Sequence, residues 1–286
     1  MKNRRKQNSR INCEQLETRV MPTGAVTASI SNKVLTINGD SASNAISVFQ
    51  TSTIDNYAVT GSSTKVNGVT NGTFRFTMQQ VDVIKINMGD GNDSVSVFGT
   101  EAPGVNKDFD TPKGMSISMG AGNDSVFLKF LDVWQNDLNV SLGSGNDSLS
   151  VTSIRVQAGS FLVSTSTGSD TVSMSGVVAG TDIRVTSSLD ASVKATIQNS
   201  NAGNIVDVDL SNGVDIVNIV NVKGKKLTAT LFSGNDKLNV KSSKFTSGAT
   251  LDGGPDTDLL NFFNNTGDSS WVTTAFRSPT HTDLMF

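Results

Sequence analysis

One five-residue motif, Gly-x-Gly-Asn-Asp followed by alternating apolar and polar residues, recurs along this chain. Its clearest copies occupy residues 89–93, 120–124 and 143–147. Weaker copies keep an acidic or amide residue with an apolar residue two positions later, and they are centred on Asn44, Asp170, Asp215 and Asp236, while residues 253–259 form a terminal variant. A unit this short cannot bury its own apolar face, so successive units must stack on one another.

The spacing of the motif sets the size of one unit. Asp124, Asp147 and Asp170 follow one another at intervals of 23 residues. Two degenerate units, around residues 71–74 and 189–193, complete a series of about ten units. Each unit therefore has room for two short strands and a connection, which matches one coil of a solenoid.

The residues on either side of the motif have the pattern of half-buried strands. Residues 83–88 and 95–97 alternate apolar side chains with Lys, Ser or Asn, and no long helical stripe occurs. We therefore predict an all-β, right-handed parallel β-solenoid (β-helix) of about ten coils over residues 26–263. Residues 1–25 are expected to form a flexible basic leader, and residues 264–286 a C-terminal cap or tail.

Composition and charge exclude several classes of protein. The chain has 286 residues with a formal net charge of −3, and residues 20–286 alone hold 17 basic and 24 acidic residues. Nucleic-acid binding is not expected, because an acidic rod repels phosphate backbones. The single cysteine, Cys13, permits no internal disulfide, and no run of 18 apolar residues predicts a transmembrane segment.

The acidic residues are almost all aspartate, which suits both tight turns and calcium. Only Glu14, Glu17 and Glu101 are glutamates among 26 acidic residues. In one interpretation the turns are purely structural, with stacked Asn and Asp side chains satisfying backbone groups. In the other, calcium lies between carboxylates of adjacent coils. Stacked aspartates that bind no cation would repel one another, which would raise their pKa values.

The candidate calcium ligands come from the motif itself. The acidic cluster of Asp252, Asp256 and Asp258 near the C-terminus is a second place where a cation could bind. The predicted ligands of Ca²⁺ in the repeated turns are Asp90, Asp93, Asp124, Asp147, Asp170 and Asp236.

The motif resembles the hemolysin-type (RTX) calcium-binding repeat, Gly-Gly-x-Gly-x-Asp-x-apolar-x. Residues 89–93, 120–124 and 143–147 match the second half of that pattern. The resemblance implies a parallel β-roll whose glycine turns coordinate calcium between coils. This chain departs from it by placing one turn in about 23 residues, whereas the family places one in about nine.

A second resemblance concerns the N-terminal segment. Residues 10–22, with the sequence Leu16-Glu17-Thr18-Arg19 after a basic stretch, resemble the Leu-Glu-x-Arg leader of large planctomycete surface proteins. That resemblance implies export and an extracellular or cell-surface location.

Two functions of different classes are compatible with a solenoid. The first is an exported structural or adhesive protein, whose partners would be cell-surface polysaccharide or other surface proteins. A variant of this hypothesis is a short paralogue of longer surface proteins with no separate activity. The second is a carbohydrate-active β-helix enzyme of the polysaccharide lyase or hydrolase type. A flat Ser/Thr/Asn face would favour the first, and a groove with clustered Asp, Lys or Arg would favour the second.

No motif of known catalytic mechanics is present, so we do not expect an enzyme. The side chains that could serve one are Asp132, Asp137, Arg155, Arg184 and Lys194. His281, the only histidine, is expected to be a solvated residue near the C-terminus. The phenylalanines, among them Phe127, Phe130, Phe262 and Phe263, are expected to fill the rod or cap its end.

Overall fold

The computed structural model describes residues 24–51, 56–100, 109–111, 113–188, 191–267 and 270–277. The strands of these residues pair in parallel, each with the equivalent strand of the next unit, and form a β-solenoid. The predicted fold class is therefore confirmed, while the hand of the coil stays a prediction. Of the basic leader, residues 1–23 lie outside the described residues, as do Cys13 and His281.

The first face of the solenoid is a sheet that receives one strand from every unit. Its parallel strands, in stacking order, are Val34–Asn38, Val83–Asp90, Gly114–Ala121, Leu138–Ser141, Phe161–Thr165, Ile183–Ser187, Ile205–Asp209, Lys226–Thr230, Ala249–Asp252 and Trp271–Thr274. We call this sheet face one.

The second face follows face one across the glycine-containing turn. Its strands are Ala45–Gln50, Ser94–Phe98, Ser125–Val133, Ser148–Val156, Gly168–Ala179, Ala191–Gln198, Ile216–Val220, Lys237–Lys241, Asp258–Phe263 and Phe276–Arg277. The part of each strand next to the turn, up to a bend described below, is face two.

A third face, which the sequence pattern did not predict, follows face two after that sharp bend. It consists of the last three residues of the strands that end at Val133, Val156 and Ala179. Its separate short strands are Phe109–Thr111, Asn201–Ala202, Lys223–Gly224, Lys244–Phe245 and Thr266–Gly267. This sheet is face three.

The bend between faces two and three is a column of residues in the left-handed backbone region. Their φ angles lie between 50° and 71°, and the residues are Phe130, Ser153, Gly176, Asn199, Asn221, Ser242 and Asn264. Asn and Gly adopt this conformation readily, whereas Phe and Ser do so at a cost. Because the residue type varies from unit to unit, the strand run looks continuous in the sequence and the bend is not evident.

About seven turns of the solenoid are regular, and they correspond to the seven three-sided turns between Gly114 and Gly267. The predicted count of about ten is therefore slightly high for complete turns. The remaining rungs are interrupted: the first two carry insertions, and the last consists of Trp271–Thr274 and Phe276–Arg277. Residues 278–286 of the predicted cap or tail lie outside the described residues.

The expected degenerate unit around residues 71–74 is not a coil. Thr73–Thr77 pairs antiparallel with Asn56–Gly61, which pairs antiparallel with Ala45–Gln50 in the first rung. On face one, Ala25–Ser31 pairs antiparallel with Val34–Asn38, and the short strands Lys65–Val66 and Val69–Thr70 extend that edge. A 3₁₀ turn at Met78–Gln80 leads back into the solenoid. These antiparallel strands cover the N-terminal edge of both sheets, where unpaired strand groups would otherwise be exposed.

The interior is a single apolar column built by the period-two alternation. Val95 and Val97 point inward in one rung, Val126 and Leu128 in the next, and each such pair stacks on its equivalents. Phe127, between the last two, therefore points outward and is 37% exposed. Its expected place inside the rod was wrong, because strand alternation decides its direction over its apolar character.

The glycines of the turns are required by close packing between rungs. A Cβ atom at Gly122 would lie 1.8 Å from the carbonyl oxygen of Gly91, and one at Gly145 would lie 1.8 Å from that of Gly122. Both glycines also have φ angles, 141° and 135°, that other residues rarely adopt. The turns can stack at strand spacing only because these positions lack side chains.

We therefore expect Gly122→Ala to destabilise the solenoid by about 3 kcal/mol or more, since it combines a backbone clash with strain. The matched control is Gly176→Ala, where φ is 71° and the nearest atom to a new Cβ lies at 3.5 Å. That change should cost only about 1 kcal/mol. Urea denaturation followed by circular dichroism measures both, and equal losses of stability would contradict the stacking argument.

Candidate functional site

The aspartate that ends each motif points into the solenoid and forms a column along its interior. Asp93, Asp124, Asp147 and Asp170 are each only 2% exposed. Each lies where the turn leads into face two. The next side chain that points into the interior, a Val or a Leu, comes two residues later. The column, which we call the aspartate column, comprises Asp93, Asp124, Asp147, Asp170, Asp215, Asp236 and Asp258.

Each carboxylate of the aspartate column accepts a hydrogen bond from the backbone of the preceding rung. The amide of Asp93 donates to Oδ1 of Asp124 at 2.7 Å, and the amide of Asp124 donates to Oδ1 of Asp147 at 2.7 Å. The same bond recurs from Asn44 to Asp93, Asp147 to Asp170, Val193 to Asp215, Asp215 to Asp236 and Asp236 to Asp258, over 2.7–2.9 Å. The carboxylates of the column thus provide hydrogen-bond acceptors for backbone N–H groups at the turn, where these N–H groups have no partner in the neighbouring strand.

At one rung within the column, and again at the first rung, the column position holds a residue other than aspartate. Val193 occupies the slot after Asp170, where strand pairing continues through the turn from Gly168 opposite Ala191. Asn44 occupies the slot in the first rung, and its Nδ2 donates to Ala42 and Asp40 of its own turn.

The asparagine beside each column aspartate forms a second row that points outward. Oδ1 of Asn92 accepts from the amide of Asn123, and Oδ1 of Asn123 accepts from the amide of Asn146, both at 2.8 Å. These bonds run from each rung to the next, opposite to those of the aspartate column. The structural interpretation of the motif, in which stacked Asn and Asp satisfy the turn backbone, is what the geometry shows.

The second oxygen of every column carboxylate is buried and has no hydrogen-bond partner in the protein. Burial away from water raises the pKa of Asp93, Asp147 and Asp236 to about 6, and that of Asp215 to about 7. The charge of a neighbouring aspartate adds to each of these increases, while the amide hydrogen bond opposes them. Burial also raises the pKa values of Asp124, Asp170 and Asp258.

The buried carboxylates do not fit the coordination that calcium requires. Calcium takes six to eight oxygen ligands. Each column aspartate offers one free oxygen among apolar side chains, since its other oxygen already accepts an amide. Within the described ranges, no group of three or more His, Cys, Asp or Glu side chains could hold a metal ion. Calcium binding by this chain stays a prediction, and burial of the column shifts its carboxyl groups toward the protonated form.

The remaining predicted ligands lie outside the column. Asp90, at the end of a face-one strand, is exposed at the turn. In the C-terminal cluster, Asp252 accepts from the amide of Gly254, and Asp256 accepts from the amide of Gly234 on the preceding turn. Asp258, not Asp256, takes the column slot of its rung.

Two column members, Asp215 and Asp258, were missing from the predicted ligand set. Asp215 was recognisable by its place in the repeat series. For Asp258, the two acidic residues at positions 256 and 258 gave competing alignments that only the strand register resolves.

The side chains considered for catalysis are distributed over all three faces. Asp132 and Arg155 meet on face three, where both Asp132 oxygens accept from Gln157 at 2.9–3.0 Å and Oδ2 also accepts from Nε and Nη2 of Arg155. Arg184 lies on face one against Asp182. Lys194 is exposed on face two, and Asp137 accepts from the amide of Ser160.

The tyrosine and the tryptophans lie toward the ends of the rod or on its surface. Tyr57 is buried and stacks on Phe76, with ring centroids 5.3 Å apart. Trp271, in the last rung, packs edge-on against Phe262, with ring centroids 4.4 Å apart. Trp134 is 45% exposed on the outside of face three, where its Nε1 donates to Asp110 at 3.2 Å.

The outer surface of face one is flat and mostly composed of small polar side chains. Two rows of outward residues run along it, for example Ser116 and Ser118 in one rung and Asn139 and Ser141 in the next. A shallow depression of about 310 Å³ lies between these rows and Arg184. Leu162 and Arg184 interrupt these rows, so face one matches the expected Ser/Thr/Asn surface only in part.

Comparison with known proteins adds no relative: no family model, no curated protein and no solved structure matches the chain. Within the described part of the chain, none of the segments forms a helix long and apolar enough to cross a bilayer.

The aspartate column makes a prediction about pH. Its folded-state pKa values lie above the ordinary value of 3.8, so the folded state binds protons more tightly than the unfolded state. The resulting stabilisation is complete below about pH 4 and is lost as the pH rises through 6 to 7. We expect the free energy of unfolding in urea to be about 3 kcal/mol higher at pH 5 than at pH 8.

The control for this prediction is Asp147→Asn, which keeps an oxygen for the amide of Asp124 but cannot titrate. It should reduce the pH dependence without abolishing folding. A protein that is more stable at pH 8 than at pH 5 would contradict the protonated column. If added calcium raised the urea midpoint at pH 8 and a chelator reversed the rise, the calcium hypothesis would be supported instead.

Proposed function

We propose that this chain is an exported structural or adhesive repeat protein of the bacterial cell surface. The observation that carries the proposal is the solenoid itself, whose face one presents rows of Ser, Thr and Asn side chains that are interrupted by Leu162, Arg184, Asp207 and Asp209. A rigid plane with hydroxyl and amide groups at about 4.8 Å intervals suits contact with an extended polymer. The resemblance of residues 10–22 to an export leader supports the location.

The way the rungs are joined also suits a role outside the cell. Stability comes from cross-rung hydrogen bonds and a continuous apolar column, with no disulfide, since Cys13 is the only cysteine. In repeat proteins of this construction, folding can start at one rung and propagate to its neighbours.

A carbohydrate-active enzyme is the second candidate, and one feature of face three favours it. Trp134 and Asp110 lie beside the ion pair of Asp132 and Arg155, so an exposed ring is next to charged groups. Against this, both oxygens of Asp132 are already occupied by Arg155 and Gln157. Release of new reducing ends from polysaccharides by the purified chain would support the enzyme.

The proposed location is tested by protease treatment of intact bacteria that produce the full chain. We expect the solenoid to be digested without lysis of the cells, while a cytoplasmic control protein survives. Replacing Leu16, Glu17 and Arg19 by Ala should retain the protein inside the cell, whereas replacing Lys2 and Arg4 by Gln should have a smaller effect. Digestion only after lysis would contradict the proposal.

A further inference from the structure

Faces two and three carry a group of exposed lysines in the C-terminal half of the solenoid. We call it the lysine strip. It comprises Lys194, Lys223, Lys237, Lys241 and Lys244. None of these lysines forms an ion pair within 4.0 Å with a described residue.

The acidic residues of the same rungs lie elsewhere. Among the described residues 191–267, Asp215, Asp236 and Asp258 are buried in the aspartate column. The others belong to face one or to the turn after it, and they are Asp207, Asp209, Asp252 and Asp256. A chain with a net negative charge therefore presents an unmatched positive surface on two of its three faces.

Strand register brings the lysines together. Lys223 lies directly opposite Lys244 in adjacent rungs of face three, at the strand spacing of about 4.8 Å. On face two, Lys194 and Lys237 are separated by a single rung, in which Ile216 occupies the equivalent position. Like charges placed directly opposite one another destabilise a sheet, and a bound anion would remove that cost.

A ladder of side-chain amides runs along face two beside these lysines. Nδ2 of Asn239 donates to Oδ1 of Asn218 at 2.8 Å, and Nδ2 of Asn261 donates to Oδ1 of Asn239 at 2.6 Å. Each amide retains a second N–H that can donate to a hydroxyl or carboxylate outside the protein. The surface therefore combines positive charges with a regular row of neutral hydrogen-bonding groups.

We propose that the lysine strip binds an acidic polysaccharide rich in uronate carboxylates, and this proposal rests on the surface role proposed above. A uronate chain carries carboxylates for the lysines and hydroxyls for the asparagine ladder. A single-stranded nucleic acid fits less well, because it would use a succession of stacking rings, whereas the ring beside this ladder is that of Phe263, 5.0 Å from Nζ of Lys241.

A second copy of this chain also fits less well than a polysaccharide. The carboxylate of Asp207 on face one is already engaged by the Thr228 hydroxyl and by Arg184 at 3.6 Å. Asp252 accepts from an amide of its own turn. These two acidic residues are therefore partly satisfied within their own molecule, which leaves the exposed Asp209 as the face-one carboxylate that a neighbouring copy would have to use.

The test measures binding of the purified full chain to polygalacturonate, with dextran as the neutral control polymer. We expect binding to polygalacturonate that weakens with added NaCl, and none to dextran. The double variant Lys223→Gln/Lys244→Gln should bind about tenfold more weakly. The matched control Lys65→Gln/Arg75→Gln removes two exposed basic residues from the N-terminal strands Lys65–Val66 and Thr73–Thr77, outside the strip, and should bind as the unchanged chain does.

Several outcomes would overturn the proposal. These are no binding to polygalacturonate, equal loss in both double variants while their thermal melts are unchanged, or tighter binding to single-stranded DNA. Salt-sensitive self-association that the strip variant abolishes, measured by sedimentation, would assign the surface to a second copy instead. A protein found on the cell surface that binds no polygalacturonate would overturn this inference alone, whereas an intracellular protein would overturn the proposed function.

Discussion

The hydrogen bond from a corner amide to the aspartate of the next rung is the interaction on which this solenoid depends. At the turn between faces one and two, the backbone leaves regular strand pairing, and buried amides without partners would be costly. The amides of Asp93, Asp124 and Asp147 find that partner only in the following rung. A single unit is therefore incomplete without its neighbours, which is why the chain must be a repeat.

The same hydrogen bond also determines the surroundings of the aspartate carboxyl group, and therefore its pKa. Placing a carboxylate where it can accept an amide from the adjacent rung also places it in the apolar interior, where its second oxygen has no partner. The charged form is then disfavoured, chiefly because burial removes the carboxylate from water, and for several members also because a neighbouring aspartate carries the same charge. The outward asparagine performs the equivalent task in water, so Asn and Asp at adjacent positions serve opposite sides of one corner.

Much of the fold was predictable because the repeat encodes both the turn and the alternation. The 23-residue interval between Asp124 and Asp147 is reproduced as the register of Ser125 opposite Ser148. The third face was not predictable, since its bend is formed by residues as different as Phe130 and Asn199. For the site, the sequence identified the aspartates but could not show that they point inward, because that direction depends on where strand alternation begins. The antiparallel strands near Thr73 likewise follow from pairing partners distant in sequence.

The most direct test of this account is an NMR titration of the aspartate carboxyl carbons in the folded protein. We predict that Asp93, Asp147 and Asp236 titrate with pKa values of about 6 and Asp215 with a pKa of about 7. The partly buried Asp82, which accepts a hydrogen bond from Lys113, should titrate with a pKa below its ordinary value. If instead every aspartate of the column titrated at or below 3.8, burial would not be disfavouring the charged form of these carboxyl groups. The account of the column as a buried row of carboxyl groups, each with one oxygen that lacks a partner, would then be wrong.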